Sequence, residues 1–416
     1  VSTETVTIQK LGGQGDGIAE GADGPIYVPF SLPGESVAIA RVKNHGTIMS
    51  IAKPSADRQE PPCRHFGPDG VNGTCGGCTL QHMADQPYRA FKRRLVIDAL
   101  KSKGISAEVG PLVPAHPGER RRVVFAARKT EKDMLIGFNQ AESHHIVAID
   151  ECPISSAAIL ARLPAIKAIG AALATSAEAF RISVLETLSG LDLAVDGIKK
   201  MPDPQRRKAI ETVLGLRGIA RVSLNGEILV EPSKPIIDFG GVQVSPPAGS
   251  FTQATKPAEE AMAELVLAHV GNSKRIADLF AGAGTFSLRL ARIGRVHAVE
   301  GEEKALAALD QAARKTQGLK PVSVEKRDLF RRPLMTSELK VYDAVVFDPP
   351  RAGAEFQCRE LARSTVRKIA AVSCNPLTLA RDLTILIEGG YRITGVTPID
   401  QFLWTSHVEV VATLAK

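Results

Sequence analysis

The apolar positions of this chain change rhythm twice. Up to about residue 56, short alternating runs at 5–9, 12–17, 26–29, 36–42 and 46–51 are separated by glycine turns, and this pattern of brief, half-buried strands predicts a small five-stranded β-barrel. From 84 to 104 the spacing is helical, with Arg89, Lys92, Arg93 and Arg94 expected on a solvated face. Strand-like runs follow at 123–127, 134–138 and 146–149, then a helix at 155–173 and further strands at 182–195 and 219–230, while 196–218 gives no clear period. Beyond about 236, strands and helices alternate. A helix over 257–270 leads to strands at 275–280, 295–300, 322–324, 344–347 and 368–373, a helix over 377–388, and a closing antiparallel pair at 391–398 and 407–414. Apolar strands alternating with helices mark a doubly wound, Rossmann-like sheet. The expected fold class is α/β in three parts: a β-barrel over 1–56, a β-rich part over 57–235 and the α/β part over 236–416.

Composition narrows the setting. With 416 residues, 44% hydrophobic and 23% charged, the chain is a folded protein too long for one core. A net charge of +7 suits a polyanionic partner such as RNA. No apolar run is long enough to cross a bilayer and the first residues lack a signal-sequence pattern, so a cytoplasmic location without membrane contact is expected. No obligate protein partner is inferred. In a reducing compartment the six cysteines, at 63, 75, 78, 152, 358 and 374, are expected as ligands or nucleophiles rather than disulfides.

Four of them sort together. Cys75 and Cys78 flank two glycines, Cys63 stands twelve positions earlier, and Cys152 lies in Asp150-Glu151-Cys152-Pro153, where a proline directly after a ligand cysteine fits an iron-sulfur site. Four thiolates close either a tetrahedral zinc site or a 4Fe-4S cluster, and spacing does not choose between them. His65 and His82 are competing ligands or surface histidines.

The α/β part carries the chemistry. Gly282 and Gly284 sit in the turn after the strand bearing Asp278, where glycines let a ligand approach the backbone and Asp278 offers a carboxylate. Glu300 ends the next strand about twenty residues on, positioned for ribose hydroxyls, and Arg327-Asp328 follows the third strand, near an adenine edge. The glycine spacing does not suit a dinucleotide pyrophosphate, so S-adenosylmethionine is preferred over NAD. Asp348-Pro349-Pro350-Arg351 holds a carboxylate rigidly for a planar base. Cys374 ends an apolar strand ahead of Pro376, and the positive end of the following helix is expected to help ionise it. A thiolate adding at carbon 6 of uracil activates carbon 5 for methylation, and a base must then remove the carbon-5 proton. Glu409 is the candidate base, with His407 its rival.

With Gln253, the glycine loop, Asp-Pro-Pro-Arg, Ser-Cys-Asn-Pro and His-Val-Glu in this order, the chain resembles the RNA uracil-5-methyltransferase family over nearly its full length. It is most similar to the bacterial 23S rRNA branch, which carries an N-terminal TRAM domain, a barrel of the OB type, and a central 4Fe-4S cluster. The resemblance implies that Cys63, Cys75, Cys78 and Cys152 bind the cluster, that Cys374 is the nucleophile and that Glu409 is the base. It implies further that Gln253, Phe280, Thr285, Glu300, Asp328 and Asp348 line the cofactor and uracil pocket. Thr285 stands where asparagine is frequent, and Leu403 where proline is usual. Family members acting on tRNA typically lack the cluster and the barrel, so the implied substrate is one uridine of 23S rRNA, flipped from its stack. The alternatives are the same chemistry on tRNA, and an RNA-binding or folding factor with a silent catalytic part. The intact Cys374 and Glu409 argue against the silent factor.

Overall fold

A computed structural model describes residues 2–141 and 143–416. The first six strands, Ser2–Thr7, Lys10–Leu11, Gly17–Gly21, Gly24–Val28, Ser36–Val42 and His45–Lys53, form one sheet. The run at 12–17, expected as a strand, is a hairpin turn in which the Gly12 N–H donates to the Asp16 carbonyl at 2.8 Å. Ser2–Thr7 pairs with Ser36–Val42, whereas just beyond it the Gln9 N–H donates to the Ile18 carbonyl at 2.8 Å. One stretch of chain thus joins two otherwise distant strands and curls the sheet around Ile8, Ile26, Val28, Val37 and Ile39.

The middle of the chain forms a seven-stranded sheet in the spatial order Glu227–Val230, Ile219–Leu224, Gly190–Asp196, Phe180–Thr187, Arg122–Lys129, Met134–Asn139 and Ile146–Ala148. The runs at 182–195 and 219–230 are each two strands, not one. The second folds back at Asn225-Gly226, with φ of 50° and 83°, the left-handed pair that a two-residue hairpin needs. The stretch without a period contains a helix, Asp203–Leu214. The helix expected at 155–173 divides into Ala157–Leu160 and Leu163–Leu173, because Pro164 suits a new first turn rather than the interior of an old one. These helices cover Val123, Phe125, Ile182 and Leu193 on one face of the sheet.

The last seven strands lie in the order Val322–Lys326, Arg295–Glu300, Arg275–Leu279, Ala344–Phe347, Lys368–Ser373, Glu409–Ala415 and Arg392–Ile399. The first five are parallel, and Glu409–Ala415 slips between its neighbours antiparallel to both. Ala344–Phe347 is buried throughout, as a central strand with cover on both faces must be. One cover rests on Leu279, Phe347, Ile369 and Leu383, the other on Met262, Ile276, Val346 and Val372.

The helix Asp85–Lys101, assigned from sequence to the middle part, packs Val96, Ala99 and Leu100 into the first of these covers. The chain after it runs along the sheet edge, where the Gly110 and Val113 N–H groups donate to the carbonyls of Val396 and Pro398 at 2.8 and 2.9 Å. Lys92, expected on a solvated face, is fully buried because its ammonium meets the equally buried Asp400 carboxylate at 2.6 Å. Topology then fixes where chemistry can occur. Parallel strands present their carboxyl ends at one edge, and the antiparallel register Ser373↔Val410 brings Cys374 and Glu409 together there. Among the described residues, no helix is long and apolar enough to cross a membrane.

Candidate active site

A cavity of about 760 Å³ opens at that edge, and Gln253, Phe280, Glu300, Asp328, Asp348, Cys374 and Glu409 all line it. Thr285 is not among the lining residues; its carbonyl accepts from the Arg289 guanidinium at 2.7 Å. At one end of the cavity, Gly282 has φ of 54° and open space where a side chain would stand, so a ligand can meet the main chain directly. The Gly282 and Glu302 N–H groups donate to the two Glu300 carboxylate oxygens at 2.9 and 2.8 Å, fixing that side chain while leaving each oxygen capacity for a hydroxyl. Phe280 takes φ of 59°, a left-handed conformation costly for an aromatic residue, and its ring lies 5.4 Å from that of Phe330. Asp328 accepts from the Phe330 N–H at 3.0 Å.

Two expectations for this end change. Asp278 is fully buried beneath the glycine turn and bonded to the Ser287 hydroxyl, so it supports the loop rather than meeting a ligand. Burial pushes its carboxyl up to about 7. Arg327 borders the cavity, but its guanidinium is held by Glu325 and by Glu338, the latter at 2.7 Å, and is not free to grip an adenine edge.

At the other end, Cys374 follows its strand, and Asn375 caps the helix Pro376–Glu388 by accepting from the Leu377 N–H at 3.1 Å. The expected ionisation by the helix does not prevail in the free protein. Burial, then the nearby Glu409 and Asp348, push the thiol up to about 11, against a smaller opposing effect of Arg351. Burial likewise raises Asp348 and Glu409 above the ordinary carboxylate range, and Asp348 adds to the rise at Glu409. Glu409 is almost fully buried, with one oxygen bonded to Gln401 at 2.6 Å and the other, Oε2, without a hydrogen-bond partner. His407 is not among the lining residues, and its Nδ1 lies 2.8 Å from the Arg351 guanidinium. Its Nε2 lies 3.2 Å from the same guanidinium, so the ring faces Arg351 while Glu409 faces the cavity.

The loop between the last two strands seats this end. Lys92 and Tyr88 hold Asp400, each at 2.6 Å, and the Trp404 carbonyl accepts from the N–H groups of both Thr79 and Leu80 at 2.9 and 3.0 Å. Leu403 packs among Cys63, Cys78, Leu80 and Cys152.

The four expected ligand cysteines, Cys63, Cys75, Cys78 and Cys152, wall a second cavity of about 200 Å³, together with Phe66, Phe138 and Ile149. Among the described residues, no group of three or more His, Cys, Asp or Glu side chains is arranged to hold a metal ion. All four thiols line this one cavity. Burial, reinforced by the other thiols, pushes Cys75 up to about 11 and Cys78 to about 12. Gly76 is required by backbone proximity, because a Cβ there would lie 2.5 Å from the Asn139 carbonyl oxygen. His65 and His82 are both buried, not surface residues. His65 is held between the Val71 carbonyl and Asp150 at 2.9 and 3.0 Å, while His82 stacks on Phe66 with neither ring nitrogen bonded.

Residues 242–416 match the family described as tRNA (uracil-5-)-methyltransferase. An uncharacterized RNA methyltransferase of Agrobacterium fabrum is 74% identical over 416 residues, covering all of both chains. The 23S rRNA (uracil(1939)-C(5))-methyltransferase RlmD of Chromohalobacter salexigens is 28% identical over 438 residues, covering 100% of this chain and 90% of that protein. The chain belongs to the RNA uracil-5-methyltransferase family. In structure, this methyltransferase resembles the Pyrococcus abyssi tRNA (uracil-54, C5)-methyltransferase determined with S-adenosyl-L-homocysteine, with a TM-score of 0.75, 25% identity and 99% of each chain covered. A tRNA enzyme therefore shares the architecture from end to end, and the presence of an N-terminal part does not by itself select rRNA.

Sequence reasoning about this RNA uracil-5-methyltransferase missed Gln401, which bonds both Gln253 and Glu409. The available signal was a polar pair, Asp400-Gln401, directly after an apolar strand. It also left Phe330 and Phe402 unassigned among the cavity walls.

Proposed function

We propose that this enzyme methylates carbon 5 of one uridine of 23S rRNA through a covalent adduct on Cys374. The observation that carries the reading is the meeting of Cys374, Asp348 and Glu409 in one cavity whose far end presents Gly282, Glu300, Asp328 and Phe280. S-adenosylmethionine, bound at that far end, supplies an electrophilic methyl group. The Cys374 sulfur adds to carbon 6 of the flipped base, and the electron pair released toward carbon 5 would bond the methyl carbon, the carbon–sulfur pair staying with the departing thioether. Glu409 Oε2 then takes the carbon-5 proton, and the returning pair expels the Cys374 sulfur, restoring the ring double bond. Burial holds the free thiol high, so its proton passes to solvent as the site loads, where Arg351 and the cofactor's positive charge favour the thiolate. Asp348 has one oxygen bonded to Gln253 and the other available to accept from the uracil N3–H.

Cys63, Cys75, Cys78 and Cys152 are proposed to hold a 4Fe-4S cluster rather than zinc. A zinc ion needs four sulfurs at about 2.3 Å from one centre, whereas these thiols line a cavity of about 200 Å³. The cluster's role is structural. Residues 1–56, curled on themselves, are read as a TRAM-type RNA-binding barrel, 57–235 as the cluster-bearing domain, and 236–416, completed by the helix Asp85–Lys101, as the methyl-transfer domain.

The full-length likeness to the 23S rRNA enzyme supports rRNA, and the structural likeness to the tRNA enzyme supports tRNA as the second reading. Mapping 5-methyluridine in rRNA and tRNA from cells with and without this gene decides between them. Cys374→Ala is expected to lose turnover and to form no covalent complex with 5-fluorouridine RNA, and a persisting complex would overturn the nucleophile. Glu409→Gln is expected to accumulate the adduct on uridine RNA.

A further inference from the structure

A chain of hydrogen bonds crosses the floor of the cavity. The Ala254 N–H donates to Gln401 Oε1 at 2.8 Å, Gln401 Nε2 donates to Gln253 Oε1 at 2.8 Å and to Glu409 Oε1 at 2.6 Å, and Gln253 Nε2 donates to Asp348 Oδ2 at 2.9 Å. An amide side chain can be turned end for end unless its neighbours forbid it. Here they do. A backbone N–H can only donate, so the atom of Gln401 facing Ala254 must be the oxygen, and both Nε2 hydrogens are committed to the opposite side. One meets Gln253, whose oxygen must therefore face Gln401 and whose NH2 must face Asp348. The other meets Glu409 Oε1, leaving Oε2 as the oxygen without a partner. Gln401 is itself buried, so no solvent competes for these bonds.

We propose that Gln401 is a positioning residue for methyl transfer, setting the orientation of the Gln253 amide and aiming the free oxygen of Glu409 at the carbon-5 proton. The inference rests on Glu409 being the proton acceptor. Burial, then Asp348, oppose the ionisation of Glu409, and the Cys374 thiol also faces that carboxylate; ionisation is favoured by Gln401, which donates to the charged form, and by the charges of Arg351 and Lys92. Removing that donor raises the proton affinity of Glu409. The acid form cannot accept a proton, so the low-pH limb of the kcat profile must move to higher pH.

Gln401→Glu keeps the shape and the bond from Ala254, but sets an acceptor against Gln253 Oε1 and a like charge against Glu409. The limb is expected to rise by about one unit or more, a tenfold or greater loss of kcat below it. Gln401→Met fills similar space without a donor and is expected to move the limb in the same direction by less. Both are assayed by methyl incorporation into RNA extracted from a strain lacking the gene, with thermal melts alongside. A folded variant whose limb stays at the wild-type position overturns the proposal, whether kcat is normal or uniformly reduced. If Gln401→Glu does not fold, Gln401→Met alone decides. Turnover retained by Glu409→Gln would instead remove the base assignment, a failure distinct from that of Gln401.

Discussion

At the scale of single residues, the buried polar groups are the informative ones. Lys92 and Asp400 are both sealed from solvent and satisfied by each other, with Tyr88 bonded to the second Asp400 oxygen and the Phe402 carbonyl accepting from Lys92 at 2.9 Å. Breaking such a pair leaves an uncompensated buried charge, which costs more than the pair contributes. Asp400→Ala is therefore expected to destabilise the protein by about 3–5 kcal/mol, read from denaturant unfolding. Replacing both partners, as in Lys92→Met with Asp400→Leu, should recover much of that loss. Phe280 shows a different economy: its left-handed backbone persists because it ends a buried strand and places the ring beside Phe330 at the cavity wall.

At the scale of elements, strands buried on both faces were the most legible. The runs at 295–300, 344–347 and 368–373 coincide with their strands, because apolar side chains on both faces leave little choice of ends. Cys374, Asp348 and Glu300 were readable for the same reason, each standing at the end of such a strand. Legibility failed where a turn lay inside an apolar stretch, as at Asn225-Gly226, and where a helix had two apolar partners, as with Asp85–Lys101. Gln401 was hidden because Gln253 is distant in sequence and Glu409 lies across a loop, and no local period reports a contact between a residue just past one strand and the first residue of another. The cysteine loop illustrates a legible glycine with a specific cause. Gly76→Ala would force a methyl group to within 2.5 Å of the Asn139 carbonyl oxygen, whereas at Gly77 the nearest atom is the Cys75 sulfur at 3.5 Å. If the proposed cluster is bound, the iron and sulfide content of the anaerobically purified protein is expected to fall by more than half in Gly76→Ala and to stay near wild type in Gly77→Ala.

At the scale of the whole molecule, the sequence divisions do not behave as independent bodies. Leu32 from the first sheet, Met83 and Ile154 from the middle of the chain and Leu403 from the last loop share one apolar cluster with three of the four ligand-type cysteines. Buried Glu35 ties the first sheet to Arg58 at 2.5 Å, and buried Glu259 joins Arg121 to Arg289 across the second junction. Residues 236–416 made alone would lack Lys92, Tyr88 and the helix that covers one face of the sheet. This piece is expected to aggregate or to melt without a cooperative transition, whereas the full chain unfolds sharply, a contrast measurable by circular dichroism.

The carbonyl of Trp404 gives these junctions a direction in time. Its two donors, the amides of Thr79 and Leu80, leave the ribosome more than 300 residues before the oxygen they await. Leu403, which packs among three of the four thiols, arrives with it, so the thiol pocket and the loop leading to Glu409 reach their final packing together. Translation products cut short before Leu403 would lack that packing as well as Glu409, and are expected to methylate nothing.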